Sequence, residues 1–211
     1  MEARRTRGVG TAHDQRRREI ADGVLAVVAD RGLAAVSLTE VAARANVSAG
    51  RVQHYFPTKQ ALMEAAFERG NELATARIAA ASEQSETGRS PRETLTAVLT
   101  DLVPRDATTV VHLRVRQWFT ALALSDARIA ARLRADYAWL HGTLADLLRT
   151  DQADGLIPAH VDPEDAAVRL VALTEGLAYY VLVEVTAPAR AREAVLAAIA
   201  DLYPAARRDL C

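Results

Sequence analysis

The chain has 211 residues, 50 % hydrophobic and 25 % charged, with a net charge of −1. That length exceeds one small binding module and suggests one to two domains, while the composition excludes a disordered or fibrous chain. The lone cysteine, Cys211, excludes a disulfide framework and suits a reducing, cytoplasmic setting.

No apolar run approaches the ~20 residues that span a bilayer. Met1 to Arg5 is not followed by the apolar stretch of a secretory signal, so no membrane partner is expected. The charge is uneven. Residues 1–60 hold ten basic and six acidic side chains, a balance of +4, which leaves −5 for the remainder. A basic head on an acidic body fits a polyanion contacted by one end only. A solvated tail and an ordinary charged helix face is the plainer alternative.

In chain order, residues 1–13 are expected to be a flexible basic tail. A helix should run from about Asp14 to Arg31, with Ile20, Val24, Val27 and Val28 as its apolar stripe and Gly32 ending it. Arg16, Arg17 and Arg18 would then fall in its first turn. That opposes the helix dipole and suggests phosphates nearby.

The most informative stretch is Ser37 to Lys59. Ser37-Leu38-Thr39-Glu40 has the form of a capping box, and Leu38, Val41, Ala42 and Ala45 follow at helical spacing. Asn46 tolerates the left-handed conformation and can end this helix. Ser48 can cap a second helix in which Val52 and Phe56 point inward; Thr58 caps the next. Helix, tight turn, helix at this scale is the helix-turn-helix unit, whose second helix enters the DNA major groove. The outward residues of that helix are Ala49, Gly50, Arg51, Gln53, His54 and Tyr55. Arg51 can bond guanine and Gln53 adenine, while His54 or Tyr55 can reach bases or phosphates. Gly50 is poor for a surface helix and makes sense where the backbone approaches a ligand closely.

A long helix should follow from Thr58 to about Ser85, broken at Thr87-Gly88-Arg89. Ser90-Pro91-Arg92-Glu93 is a second capping box, opening a helix that carries Leu95, Leu99 and Leu102 to Pro104. Further helices are expected over about Thr108 to Leu124, from Ser125 or Asp126 to near Gly155, from Asp162-Pro163 through Leu182, and from Pro188 to Pro204. Tyr179 to Val185 can be read as a strand, but it continues a capped helical pattern and has no partner. The fold class is therefore all-α, about nine helices: an N-terminal head over 14–75, with its helix-turn-helix near 38–57, and a helical body over 76–211.

Catalytic signatures are missing. No two of His13, His54, His112, His141 and His160 sit at i, i+3 or i+4, and there is no G-x-S-x-G, H-E-x-x-H or phosphate-binding glycine loop. Neither an enzymatic activity, a cofactor nor a metal is expected. In the body, His112, Arg114, Trp118, Phe119, Tyr137, Trp139, His141, Glu175 and Tyr179 offer aromatic walls with polar anchors, a mixture suited to a small molecule. The plainer alternative is that these aromatics fill the core.

Residues 37–62 also carry a resemblance. Val41-Ala42, Ala45-Asn46-Val47-Ser48, Gly50, Val52, Tyr55-Phe56, Thr58-Lys59 and Leu62 are similar in order and type to the DNA-binding motif of the TetR family of bacterial transcriptional regulators. Asn46 stands where the family usually has a turn glycine, and Gln53 where it usually has a tyrosine. The resemblance implies Thr39 near DNA and Lys59 on a phosphate, so that with Ser37 and Ser48 the residues named above form a DNA surface. It implies a pocket lined in part by Trp118 and Tyr179. It also implies a homodimer through the last two helices, with Leu173, Leu177, Tyr180, Val181, Glu184, Val195, Leu196, Ile199 and Leu202 at the interface. The implied function is a repressor on a double-stranded, pseudo-palindromic operator, released by a small-molecule ligand that favours a wrong spacing of the two heads. An activator, a co-repressor-dependent regulator or an all-helical carrier or enzyme are the alternatives.

Overall fold

The computed structural model describes residues 6–83 and 89–203. Among them the secondary structure is helical: α1 (Thr6–Arg31), a 3₁₀ turn (Leu33–Ala35), α2 (Leu38–Arg44), α3 (Ala49–Tyr55), α4 (Lys59–Glu83), α5 (Pro91–Leu102), α6 (Ala107–Ala123), α7 (Ala127–Ala153), α8 (Pro163–Leu182) and α9 (Pro188–Ala200). The break at Thr87-Gly88, Pro204 and Cys211 lie outside the described residues. The chain divides into two compact units, Met1–Ala74 with Val110–Ala121, and Thr75–Thr109 with Leu122–Cys211.

In the first unit, α1 packs on α2 and α2 on α3. Its core is made of Ile20, Val24, Val28, Val41, Val52, Phe56, Leu62 and Met63, none more than 1 % exposed. Each such side chain contributes ~1.5–3 kcal/mol on burial. Phe67 and Phe119 stack in the same unit at 4.2 Å. Gly23 lets α1 and α2 approach closely: a Cβ there would lie 3.2 Å from that of Ala45.

Helix α1 begins at Thr6, so residues 6–13, expected as a tail, are helical. Propagating an existing helix needs no new nucleus, and Gly8 and Gly10 do not stop it. Arg16, Arg17 and Arg18 are therefore not in a first turn, and the dipole conflict that suggested phosphates beside them disappears. Arg16 pairs instead with Glu19 at 2.5 Å and Arg18 with Glu72 at 3.2 Å.

In the second unit, α5, α7, α8 and α9 share one core built from Leu95, Leu99, Leu144, Leu148, Leu170, Val171, Val195 and Ile199. The capping box at Ser90 is complete: the Ser90 N–H donates to Glu93 Oε2 at 2.8 Å, and the Glu93 N–H donates to Ser90 Oγ at 3.2 Å. The Ser90 N–H, and after it the Ser90 hydroxyl at 3.0 Å, hold the Glu93 carboxyl below its ordinary pKa. Asp126 and Asp162 cap α7 and α8 through two backbone N–H groups each. Asp151, 1 % exposed, accepts a 2.5 Å bond from the Tyr203 hydroxyl. Burial first, and this bond second, push the phenol pKa up, so Tyr203 remains a donor.

Helix α8 stops at Leu182, and Val183 to Val185 leave it rather than continuing as helix. The Glu184 N–H donates to the Val181 carbonyl and the Val185 N–H to the Tyr180 carbonyl, which closes a Schellman turn. Glu184 takes φ +61° there, a left-handed conformation costing roughly 1–2 kcal/mol for a residue with a Cβ. Replacing Glu184 by glycine is expected to raise stability by about 1 kcal/mol, after allowance for the freer unfolded chain. A urea denaturation midpoint that stays put or falls would contradict this.

Candidate nucleic-acid interface

The α2–α3 pair is shaped by its caps. Ser37 Oγ accepts from the Glu40 N–H at 3.2 Å, but Glu40 does not reach back. Its carboxylate binds Arg31 at 2.7 Å instead, tying α2 to the end of α1. Only half of the predicted capping box therefore forms, because a charged partner outbids a neutral amide for the carboxylate.

The turn between the helices is a Schellman motif. Asn46 sits at φ +53°, its N–H donates to the Ala43 carbonyl at 3.4 Å, and the Val47 N–H donates to the Ala42 carbonyl at 3.0 Å. Ser48 then starts α3, its Oγ accepting from the Arg51 N–H at 3.2 Å. Val52 and Phe56 are buried on the inner face, as their spacing predicts.

The opposite face carries Ala49, Gly50, Arg51, Gln53 and His54, all exposed, with Ser37, Thr39, Ser48 and Lys59 exposed in the same unit. Among the described residues, neither the Arg51 guanidinium nor the Gln53 amide has a hydrogen-bond or ionic partner. Among the described residues, nothing outside its own stretch of helix lies within 4 Å of a Cβ built on Gly50. Lys59 begins α4, where Thr58 Oγ1 accepts from the Ala61 N–H at 3.0 Å, and its Nζ reaches the Leu33 carbonyl at 3.5 Å. Tyr55 is not outward in the same way. It is half-buried, with the His13 ring 4.9 Å and the His54 ring 5.5 Å from its own.

Sequence reasoning missed what stands behind α3. The Arg17 guanidinium lies 4.5 Å from the centre of the Phe56 ring, and its Nη1 makes a long 3.5 Å contact to the Tyr55 carbonyl. His13 and Arg17 are four apart on α1, one face of the helix, and that spacing was the available signal. Behind them, Arg69 joins Asp22 at 2.7 Å and Glu72 at 3.0 Å, holding α4 to α1. Each such exposed pair contributes ~0–1 kcal/mol.

The residues expected to line a pocket fall in both units. His112, Trp118 and Phe119 belong to the first. Phe119 is 2 % exposed and stacked on Phe67, which makes it a core residue, and His112 lies beside Gly70. Tyr137, His141, Glu175 and Tyr179 belong to the second. The Tyr137 hydroxyl lies 2.7 and 2.8 Å from the two Glu175 oxygens, and the His141 ring lies 5.8 Å from that of Tyr137. Tyr179 faces outward beside Tyr180.

The expected dimer residues also separate. Val195 and Ile199 are buried in their own unit's core, 0 and 2 % exposed, and cannot be surplus surface. The α9 pattern is apolar on that side because it packs on α5 and α8. Leu177, Val181, Leu196 and Leu202 are half-buried. The exposed large apolar residues of α8 are Val168, Leu173, Tyr179 and Tyr180, at 40 to 49 %, with Val183 equally exposed just past its end. Glu184 is exposed but lies beyond the helix end.

Residues 20–66 match the family of bacterial regulatory proteins of the tetR type, and residues 91–204 match the BetI-type transcriptional repressor C-terminal family. The HTH-type transcriptional regulator PksA of Bacillus subtilis is 27 % identical over 82 % of this chain and 81 % of its own length. The HTH-type transcriptional regulator BetI of Burkholderia thailandensis is 30 % identical over 77 % of this chain and 79 % of its own. A solved Rhodococcus sp. structure assigned to the TetR-family transcriptional regulators is 29 % identical, with a TM-score of 0.74 over 89 % of this chain and 98 % of that one. The matching families are of regulators rather than enzymes, and among the described residues no helix is long and apolar enough to cross a membrane. With the helix-turn-helix in α2–α3 and a C-terminal match covering more than half its length, the chain belongs to the TetR family of DNA-binding transcriptional regulators.

Proposed function

We propose that this regulator acts as a homodimeric repressor whose α3 helices read a pseudo-palindromic operator, and that a small molecule bound in the second unit releases it. The observation that carries the DNA-reading part is the outer face of α3. Among the described residues, Arg51 and Gln53 have no partner, and a Cβ on Gly50 would meet nothing outside its own stretch of helix. Both side chains belong to the types that make bidentate contacts to base edges. A surface glycine in a helix costs ~1 kcal/mol against alanine, and no packing among the described residues asks for it. Close approach of the α3 backbone to DNA does.

Dimerisation finds support in the exposed Leu173 and Tyr180 of α8 and in Val183 just past its end, which together make an apolar outer face. A twofold axis there would present two α3 helices to two half-sites. For the ligand, Tyr137, His141 and Glu175 form a polar and aromatic cluster between α7 and α8. A carboxylate beside aromatic rings favours a cationic small molecule. Release requires only that the ligand bind the non-DNA conformation more tightly than the DNA-bound one. Such a regulator works where bacterial DNA is, in the cytoplasm.

Two substitutions test α3 as the reader. Gly50→Ala is expected to raise thermal stability by roughly 1 kcal/mol while weakening operator binding; an alanine variant that binds as tightly as the parent would remove the close approach. Arg51→Ala should relax discrimination at one operator position by ~1–3 kcal/mol, measured by competition among single-base variants. Equal loss on random DNA would show that Arg51 touches only the backbone.

A further inference from the structure

We propose that Arg17, on α1, is a positioning residue for operator recognition, which sets the orientation of α3 without touching DNA. The proposal rests on the DNA-binding role of the family and concerns how this chain holds its reading helix. The N-terminal end of α3 is fixed by the Schellman turn at Asn46 and the Ser48 cap. Its C-terminal end has no left-handed turn of this kind. Phe56 closes the helix in an extended conformation, at φ −139° and ψ 93°; its N–H donates to the Val52 carbonyl at 2.8 Å, but the Tyr55 carbonyl beyond it has no i+4 backbone donor.

Arg17 supplies what is missing. Its guanidinium lies 3.5 Å from the Tyr55 carbonyl, at the negative end of the α3 dipole, and 4.5 Å from the centre of the Phe56 ring, which is 1 % exposed. A cation is favoured at a helix C-terminus and over an aromatic face, and the planar guanidinium can do both at once. One turn earlier on α1, His13 packs against the Tyr55 ring at 4.9 Å. The C-terminal end of α3 is thus clamped by two consecutive turns of α1. Helix α3 is seven residues long, Ala49–Tyr55, so a small tilt at one end carries Arg51 and Gln53 off their base edges.

The test compares the full chain with Arg17→Met, which keeps the stem and removes the charge, and with Arg17→Lys, which keeps the charge and removes the planar fork. Each is titrated against a selected operator duplex and a scrambled duplex of equal length, over a range of salt and well below its melting temperature. Arg17→Met should lose about three- to tenfold in operator affinity, with little change on scrambled DNA and an unchanged salt slope. Arg17→Lys should recover part of the loss. Equal loss on both duplexes, with a shallower salt slope, would overturn positioning in favour of a direct phosphate contact. A lowered melting temperature with operator affinity intact would overturn it in favour of a purely structural role. If Arg17→Met does not fold, Arg17→Lys decides alone: parental specificity contradicts the proposal, and reduced specificity at unchanged salt slope upholds it. A parent chain that binds neither duplex would remove the DNA-binding role itself, and the proposal with it.

Discussion

The left-handed residue between α2 and α3 is the constraint on which the first unit depends. With Asn46 at φ +53°, the last carbonyls of α2 are bonded to the N–H groups of Asn46 and Val47, and the chain turns sharply enough for Ser48 to start α3 at once. The inward faces of both helices then meet one core, through Val41, Val52 and Phe56. An asparagine side chain is among the few that tolerate this conformation, so the turn holds without a glycine. Because the inner face is occupied by packing, the outer face of so short a helix is free to carry recognition chemistry.

The second unit solves a different problem with similar means. Helices α5, α7 and α8 start at side-chain caps, Ser90, Asp126 and Asp162, and α7 and α8 end in left-handed turns at Gly155 and Glu184. These devices leave few backbone groups unsatisfied at helix ends and let α5, α7, α8 and α9 bury one apolar core. Two buried polar side chains of this unit are themselves partnered. Buried Asp151 is bonded to Tyr203, and buried Thr174 bonds back to the Leu170 carbonyl at 2.7 Å. Neither arrangement needs a ligand to explain it. The Tyr137–Glu175 contact differs, because it joins two helices through groups that remain partly open to solvent.

Much of the architecture was legible because local signals agreed. Capping residues, helical periodicity and the Asn46 turn all pointed to the same elements, and the helix boundaries from α2 onward lie within a few residues of those expected. What escaped was chemistry that depends on neighbours distant in sequence. The sequence around Thr6 does not mark the start of α1 more strongly than Asp14 does, and only a start at Asp14 would set the three arginines against the helix dipole. Glu40 was assigned to its own cap, but Arg31, nine residues earlier, claims it. Val195 and Ile199 could not be told from surface residues, because a helix with apolar residues on two sides does not say which side meets its own core. In sequence Arg17 reads as one more basic residue, because its partner, the Phe56 ring, lies 39 positions away.

The central claim is that two copies of this chain place their α3 helices in successive turns of one DNA groove. It is tested most directly by selecting bound duplexes from a random pool and sequencing them. The account predicts an inverted repeat whose half-site centres lie one helical turn, about 10 base pairs, or a multiple of it apart. Recovery of a single half-site without symmetry, or of no enriched sequence at all, would contradict it.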